Sequence, residues 1–313
     1  MFVLLSLLCV SPYLYGKGMK SKPFVKWAGG KGQLIEQLDA LLPRGFDSKN
    51  IVYVEPFVGG GAMLFYMLEK YPNISRAVIN DMNSDLVTCY KVIKEKPEDL
   101  IEELRGLQKE YYSRKDEGAR KKMFLEKRER YNSHAAGEIE ESALFIFLNR
   151  TCFNGLYRVN SKRSYNVPFG KAERPLICDE ETLRADSMAL QKVEILCGDY
   201  ALVTNVVYGE AFFYFDPPYR PLTKTAAFTA YSKGGFDDEE QKRLAEFCRV
   251  LDAMGSRWLL SNSDPHNSNS SDMFFDDLYK GFDIHRVSAS RMINSKVEGR
   301  GKIMELAIRN YRD

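Results

Sequence analysis

The chain has 313 residues, 44% of them apolar, which is enough for one large α/β unit with a smaller insert that folds without staples. Six cysteines with no CxxC pair and no nearby histidine cluster suggest neither a disulfide framework nor a zinc site, and fit ordinary thiols in a reducing compartment. A net charge of only +2 means that any nucleic-acid surface must come from local charge.

Residues 1–18, "MFVLLSLLCVSPYLYGKG", have the apolar texture of a signal peptide but lack its basic start and small-residue cleavage site, and they are short for a membrane span. They are expected to be a non-core leader from an over-extended reading frame, with Met19 as the natural start and a weak membrane anchor as the rival reading. "KWAGGKGQ" follows. It resembles a phosphate loop only superficially, because Lys31 is followed by Gly32 and no hydrophobic strand precedes it. Trp27 offers an aromatic wall and Lys31 a charge for a carboxylate; the plainer alternative is a loop anchored by a buried tryptophan.

From residue 50 to about residue 83 the pattern is strand, glycine turn, helix, strand: "IVYVEP", "FVGGGAMLFYMLEKYP", "RAVIND". This predicts a βαβ unit. Gly59, Gly60 and Gly61 sit where backbone N–H groups and a helix start can approach a ligand, although the spacing fails GxGxxG and a ligand-free turn remains open. Asp81 ends the next strand about 20 residues on, the place for an acid that holds ribose hydroxyls. Glu55 adds a second carboxylate at a strand end. Two such acids would repel a phosphate and welcome a cation with free hydroxyls, so the pocket suits an aminoacyl nucleoside better than a nucleotide.

Residues 91–134 are charged with helical spacing, and the apolar helix "ESALFIFLNR" follows. Residues 150–174 then carry Arg150, Arg158, Lys162, Arg163, Lys171 and Arg174 against one acid, Glu173, interleaved with Phe153, Tyr157, Tyr165 and Phe169. Such a stretch suits phosphate contact and base reading, a solvated loop being the plainer reading. Strands resume with "VEILCGD", "AFFYFDPP" and "RWLLSNSD", with the helix "DDEEQKRLAEFCRVLDAMG" between the last two. The fold class expected is α/β, a largely parallel Rossmann-like sheet with an inserted, mainly helical unit. Its boundaries are 19–90 for one half of the sheet, 91–189 for the insertion and 190–313 for the other half.

"AFFYFDPPY" delivers Asp216 from an apolar strand into two prolines and Tyr219. An exocyclic amine on a base is a poor nucleophile because its lone pair is delocalised into the ring. The Asp216 carboxylate and the Pro217 carbonyl, held by consecutive prolines with fixed φ, are two acceptors that can draw that lone pair out of conjugation. Tyr219 can stack on the flat base, a contact worth roughly 1–3 kcal/mol.

The segments "KWAGGK", "EPFVGGG", "INDMN", "LNRTCFNGLYRVN", "NVPFGK" and "FDPPY", in this order, closely resemble the Dam-type DNA adenine N6-methyltransferases, including restriction-modification members. The resemblance runs over almost the whole chain from Met19. It implies a Rossmann-like, S-adenosylmethionine-dependent enzyme with an inserted target-recognition domain, and direct methyl transfer without a covalent enzyme intermediate. Carried over by residue, it implies that Trp27, Ala28, Gly29, Gly30 and Lys31, with Glu55, Pro56, Phe57, Gly59 and Gly61, surround the methionine part. Asp81 and its neighbour Met82 would lie at the ribose, Asp199 and Tyr200 at the cofactor adenine, and Asp216, Pro217, Pro218 and Tyr219 at the chemistry, with Asp216 also facing the cofactor.

The adenine must leave the duplex to reach such a pocket, at a cost of a few kcal/mol for unstacking. Arginine pairs bidentately with guanine and apolar groups contact the thymine methyl, so Arg158, Leu156 and Pro168 are the candidate readers. The resemblance sharpens the target to the palindrome GATC, with Lys26 near the first base, Phe153 and Asn154 near the vacancy left by the flipped base, and Lys171 on phosphate. Arg150 and Asn166 complete the expected DNA contacts. Where well-known members carry a tyrosine and an arginine, this chain has Phe153 and Lys171, so processivity and flanking preference do not transfer.

The expected partner is double-stranded DNA, with no metal, no stable membrane association, a monomer or weak dimer, and a cytoplasmic location. The competing readings are methylation of an RNA base or of a protein glutamine amide, and a non-catalytic DNA-binding regulator, which the intact "DPPY" disfavours. Zinc deamination of a flipped base fails for want of its His/Cys signature.

Overall fold

The structure, a computed structural model, describes residues 20–27, 31–32, 34–207, 209–221, 236–290 and 302–312. Among them seven strands form one sheet: β1 Ile51–Glu55, β2 Ile74–Asp81, β3 Val193–Cys197, β4 Ala211–Phe215, β5 Arg257–Ser263, β6 Asp283–Ser290 and β7 Lys302–Arg309, in the order β3-β2-β1-β4-β5-β7-β6. β1 to β5 pair in parallel, and β7 runs antiparallel between β5 and β6. The α/β expectation holds, and the closing antiparallel pair β6–β7 is an element that the sequence patterns did not yield.

β1 and β4 lie side by side at the point where the strand order reverses, and the crevice at their carboxyl ends is where open α/β sheets take ligands. β4, "AFFYF", is buried at every residue because both its faces are covered, which explains a continuous apolar run rather than alternation. Phe212 and Tyr214 join the core on one face; Phe213 and Phe215 join Trp258, Leu260 and Leu244 on the other.

The helices are α1 Ile35–Asp39, α2 Ala62–Lys70, α3 Ser84–Glu95, α4 Pro97–Ser113, α5 Glu117–Asn132, α6 Glu138–Thr151, α7 Glu180–Leu190, α8 Asp238–Ala253 and α9 Phe274–Leu278. α3 starts at an Asn83 cap that accepts from the Asp85 and Leu86 N–H groups, and α4 follows it directly with Pro97 in its first turn. α6 is buried from Ser142 to Asn149, as a helix apolar on all sides must be. Its Phe145, Phe147 and Leu148 belong to the same cluster as Tyr53, Phe65 and Tyr90, so α6 and the sheet share one continuous core. Among the described residues no helix is long and apolar enough to cross a membrane.

Candidate functional site

Three carboxylates end three neighbouring strands: Glu55 on β1, Asp81 on β2 and Asp216 just past β4. They line one cavity of about 1100 Å³ together with Trp27, Lys31, Phe57, Gly59, Gly61, Met82, Asp199, Tyr200, Pro217, Pro218 and Tyr219. The residues expected at the cofactor and those expected at the chemistry therefore face one space, large enough for a nucleoside and a base together. Ala28, Gly29 and Gly30 lie outside the described residues, as do residues 1–18. Pro56 does not line the cavity; its carbonyl accepts from Asn80 Nδ2 at 3.1 Å.

The glycine turn is shaped by close approach. Gly59 and Gly61 have φ of 49° and 76°, and a Cβ on Gly59 or Gly60 would lie 2.9 or 2.8 Å from the Trp27 side chain. "KWAGGK" and "EPFVGGG" thus pack directly on one another. Asp81 pins the turn: Oδ2 accepts from the Gly59 N–H at 3.0 Å and Oδ1 from the Asn83 N–H at 2.8 Å.

Burial raises the Asp81 carboxyl above its ordinary pKa, against the pull of its backbone donors. Burial likewise raises Glu55, which accepts from the Tyr53 hydroxyl at 2.9 Å, and Asp216 pushes it further. A cation entering this cavity would stabilise the ionised acids, so the donor set and the glycine cradle fit a ligand carrying sulfonium and ammonium groups beside ribose hydroxyls.

Asp199 starts the short turn after β3 and accepts from the Ala201 N–H at 2.9 Å and from Arg243 at 2.7 Å. Arg243 holds its carboxyl below the usual range. Tyr200 is buried, with its ring 5.2 Å from that of Phe57 and the Arg243 guanidinium 4.6 Å above it. Arg243, which the sequence patterns did not flag, is therefore shared by both residues expected at the cofactor adenine.

At the "DPPY" corner, Asp216 Oδ1 accepts from Lys31 Nζ at 2.8 Å and from Ser261 Oγ at 3.2 Å. Among the described residues no donor meets Oδ2 or the Pro217 carbonyl. Burial raises the Asp216 carboxyl, and the Lys31 charge opposes it. Lys31 also bonds the Tyr219 hydroxyl and sits 4.1 Å from the centre of its ring; Glu305 on β7 accepts from that hydroxyl at 2.5 Å and lies 3.6 Å from Lys31. The sequence reading aimed Lys31 at a ligand carboxylate and gave Glu305 no role. Its partners lie far along the chain, so no local spacing announced them.

The expected DNA residues divide by exposure. Lys26, Phe153, Asn154, Leu156, Arg158, Pro168 and Lys171 are exposed, whereas Arg150 and Asn166 are half-buried. Arg150 donates to the Phe24 carbonyl at 2.7 Å and ties α6 to the N-terminal segment, a packing role that its place in a basic stretch did not suggest. Asn166 holds Arg158: Nε donates to Asn166 Oδ1 at 2.7 Å and a terminal nitrogen to its carbonyl at 3.2 Å. Lys171, at φ 64°, pairs with Glu117 at 3.2 Å.

Asn149, buried in α6, exchanges two hydrogen bonds with the Lys26 backbone (2.8 and 2.9 Å) and donates to the Gly155 carbonyl at 2.9 Å, which sets Lys26 against the 153–156 turn. Trp27, next in sequence, stacks on Tyr157 at 5.6 Å, and the Tyr157 hydroxyl reaches Asp85 at 3.0 Å, so the basic turn abuts the cavity wall. Among the described residues no group of His, Cys, Asp or Glu could hold a metal ion.

Comparison with known proteins agrees with this geometry. Residues 27–293 match the family model described as D12 class N6 adenine-specific DNA methyltransferase. The chain is 48% identical over 297 residues to the Type II methyltransferase M.MjaIII of Methanocaldococcus jannaschii, covering 94% of this chain and 100% of that one. It is 39% identical to the Type II methyltransferase M1.LlaDCHI of Lactococcus lactis subsp. cremoris (93% and 95% covered) and 32% identical to the DNA adenine methylase of Escherichia coli strain K12 (92% and 94% covered).

Proposed function

The chain belongs to the D12 class N6 adenine-specific DNA methyltransferases, and on that premise we propose that the cavity at the strand ends receives a flipped adenine beside the methyl donor and that the sequence read is GATC. The enzyme methylates adenine in DNA. S-adenosylmethionine, the family's donor, supplies an electrophilic methyl group on a sulfonium when bound.

One observation carries the assignment of roles. Lys31 and Ser261 take Asp216 Oδ1, which among the described residues leaves Oδ2 and the Pro217 carbonyl as acceptors without a donor at the corner. Two acceptors aimed at the two N6 hydrogens localise the nitrogen lone pair, and the Lys31 charge favours the ionised, accepting form of Asp216 against burial. Tyr219 stacks on the extruded base through its ring face, while its hydroxyl is held by Lys31 and Glu305. Glu55 and Asp81 hold the ammonium and the ribose, Trp27 and the glycine turn shape the wall, and Asp199 and Tyr200 meet the cofactor adenine.

The insertion, residues 91–189, serves as the recognition unit. Arg158, pre-aimed by Asn166, reads a guanine; Leu156 and Pro168 contact a thymine methyl; Phe153 and Asn154 fill the vacated place; Lys26 meets the first base and Lys171 a phosphate. The GATC target follows the likeness to proteins named DNA adenine methylase. The reading includes action in the cytoplasm as a monomer or weak dimer. Methylation of a defined plasmid with single-base mapping of N6-methyladenine tests it. Modified adenines at GATC are expected, and a map confined to other contexts removes the target.

A further inference from the structure

The "DPPY" corner cannot be held in the usual way. Pro217 and Pro218 have no N–H, so the backbone at the reacting end offers only carbonyls to neighbouring donors. Gln241 on α8 donates from Nε2 to the Pro218 carbonyl at 3.0 Å, and Asn262 on β5 donates from Nδ2 to Gln241 Oε1 at 3.1 Å. Asn262 Oδ1 in turn accepts from the Arg220 N–H at 3.3 Å and from the Ser263 N–H at 2.8 Å.

These orientations are fixed by chemistry. A carbonyl only accepts, so Gln241 must present its nitrogen to Pro218 and its oxygen to Asn262, and Asn262 must then present its oxygen to the Arg220 N–H. The chain of bonds closes into a ring that grips the backbone on both sides of Tyr219. Gln241 and Asn262 are each 0% exposed, so water cannot replace either amide's partners, and losing one bond leaves a buried polar group unpaired.

We propose that Gln241 and Asn262 are positioning residues for methyl transfer, setting the Pro217 carbonyl and the Tyr219 ring at the target amine by clamping the Pro218 carbonyl and the Arg220 N–H. The inference rests on the reading of residues 216–219 as the reacting corner. Neither amide lines the cavity, so both act through the backbone they hold. Arg220 reinforces the ring: its guanidinium binds Asp238 at 2.7 Å and Asp272 at 2.8 Å, and its carbonyl accepts from Ser263 Oγ at 2.9 Å.

The test is single-turnover methylation by the full chain, at saturating S-adenosylmethionine and duplex DNA, with dissociation constants and melting temperatures measured alongside. Gln241→Met removes the donor. The rate of the folded enzyme is expected to fall on the order of 10- to 100-fold while both dissociation constants stay near wild type, as for a misplaced reacting group. Asn262→Asp, which keeps Oδ1 but loses the Nδ2 donor, is expected to fall in the same way and serves if Gln241→Met does not fold. Gln241→Glu keeps the shape. Its carboxylate cannot donate to Pro218, whereas its protonated form can, so its rate relative to wild type is expected to rise as pH falls. A wild-type rate in Gln241→Met or Asn262→Asp, or a Gln241→Glu ratio flat with pH, overturns the proposal. Asp216→Ala run in parallel separates the two failures: if it is inactive while the clamp variants are normal, only the clamp falls, and if it is active, the reading of the corner falls.

Discussion

Lys31 Nζ lies 2.8 Å from Asp216 Oδ1 although 185 positions separate the two residues in the sequence, and this pair decides which atoms of the corner remain for substrate. With Glu305 on its other side, Lys31 is a cation between two acids, one just past β4 and one on β7. The same lysine bonds the Tyr219 hydroxyl, so the charge at the corner and the place of the tyrosine are both tied to one side chain.

Asp216→Ala is expected to abolish methylation while DNA binding stays measurable in a gel-shift or anisotropy titration. Retained turnover would remove the catalytic role of Asp216.

Lys31→Met tests the ion pair through pH. Burial raises the Asp216 carboxyl and Lys31 pulls it down, so loss of the lysine lets it rise further. The reaction uses the ionised acid, which sets the acid limb of the rate profile. That limb is expected to move to higher pH in Lys31→Met, read from single-turnover rates across the pH range, with activity partly regained in alkali; an unmoved limb would show that Lys31 does not tune Asp216.

Arg158→Ala is expected to relax discrimination at a guanine by about 1–3 kcal/mol, read from relative kcat/KM on oligonucleotides with single substitutions. Asn166→Ala should show a smaller loss at the same base pair, because it frees the guanidinium it holds. Unchanged preference in Arg158→Ala would move the reader elsewhere.

Lys171→Ala is expected to weaken binding to all sequences alike and to reduce the slope of log K against log salt by about 1. Its ion pair with Glu117 is solvent-exposed and worth about 0–1 kcal/mol, so stability should hardly change. A salt slope equal to wild type would place no phosphate on this lysine.

Asp186 supplies a stability prediction. It is fully buried, with Oδ1 accepting from the Lys22 N–H at 3.0 Å and Oδ2 without a partner among the described residues, and burial pushes its pKa from 3.8 to about 8. The folded chain therefore keeps a proton that the unfolded chain loses. The stabilisation by the neutral carboxyl is full below the unfolded pKa and drains away as pH rises through the folded one. Asp186→Asn cannot ionise. Its stability relative to wild type should grow from about pH 4 to about pH 8 and level off above, by denaturant titration. A difference that does not vary with pH would mean that Asp186 is ionised in the folded state.

Local patterns were sufficient for some of this protein and not for the rest. The βαβ unit around the glycine turn, the apolar strand ending at Asp216 and the helix Asp238–Ala253 were legible because strand period, turn chemistry and capping acids are properties of neighbouring residues. The antiparallel pair Asp283–Ser290 and Lys302–Arg309 was not, nor was the helix Glu180–Leu190, whose apolar residues are interrupted by polar ones buried against α3 and α4.

The sequence by itself determined the chemistry on offer: a proline-held acid and tyrosine at one strand end, acids at two others, and a basic aromatic turn. Only the tertiary structure decided how those groups are used. It brought Lys31 to Asp216, Glu305 to Tyr219, Gln241 and Asn262 to the prolines, and Asn149 to Lys26. The reason is separation along the chain: these contacts join residues dozens to hundreds of positions apart, and a buried polar atom takes its partner from whatever the packing of sheet and helices sets beside it.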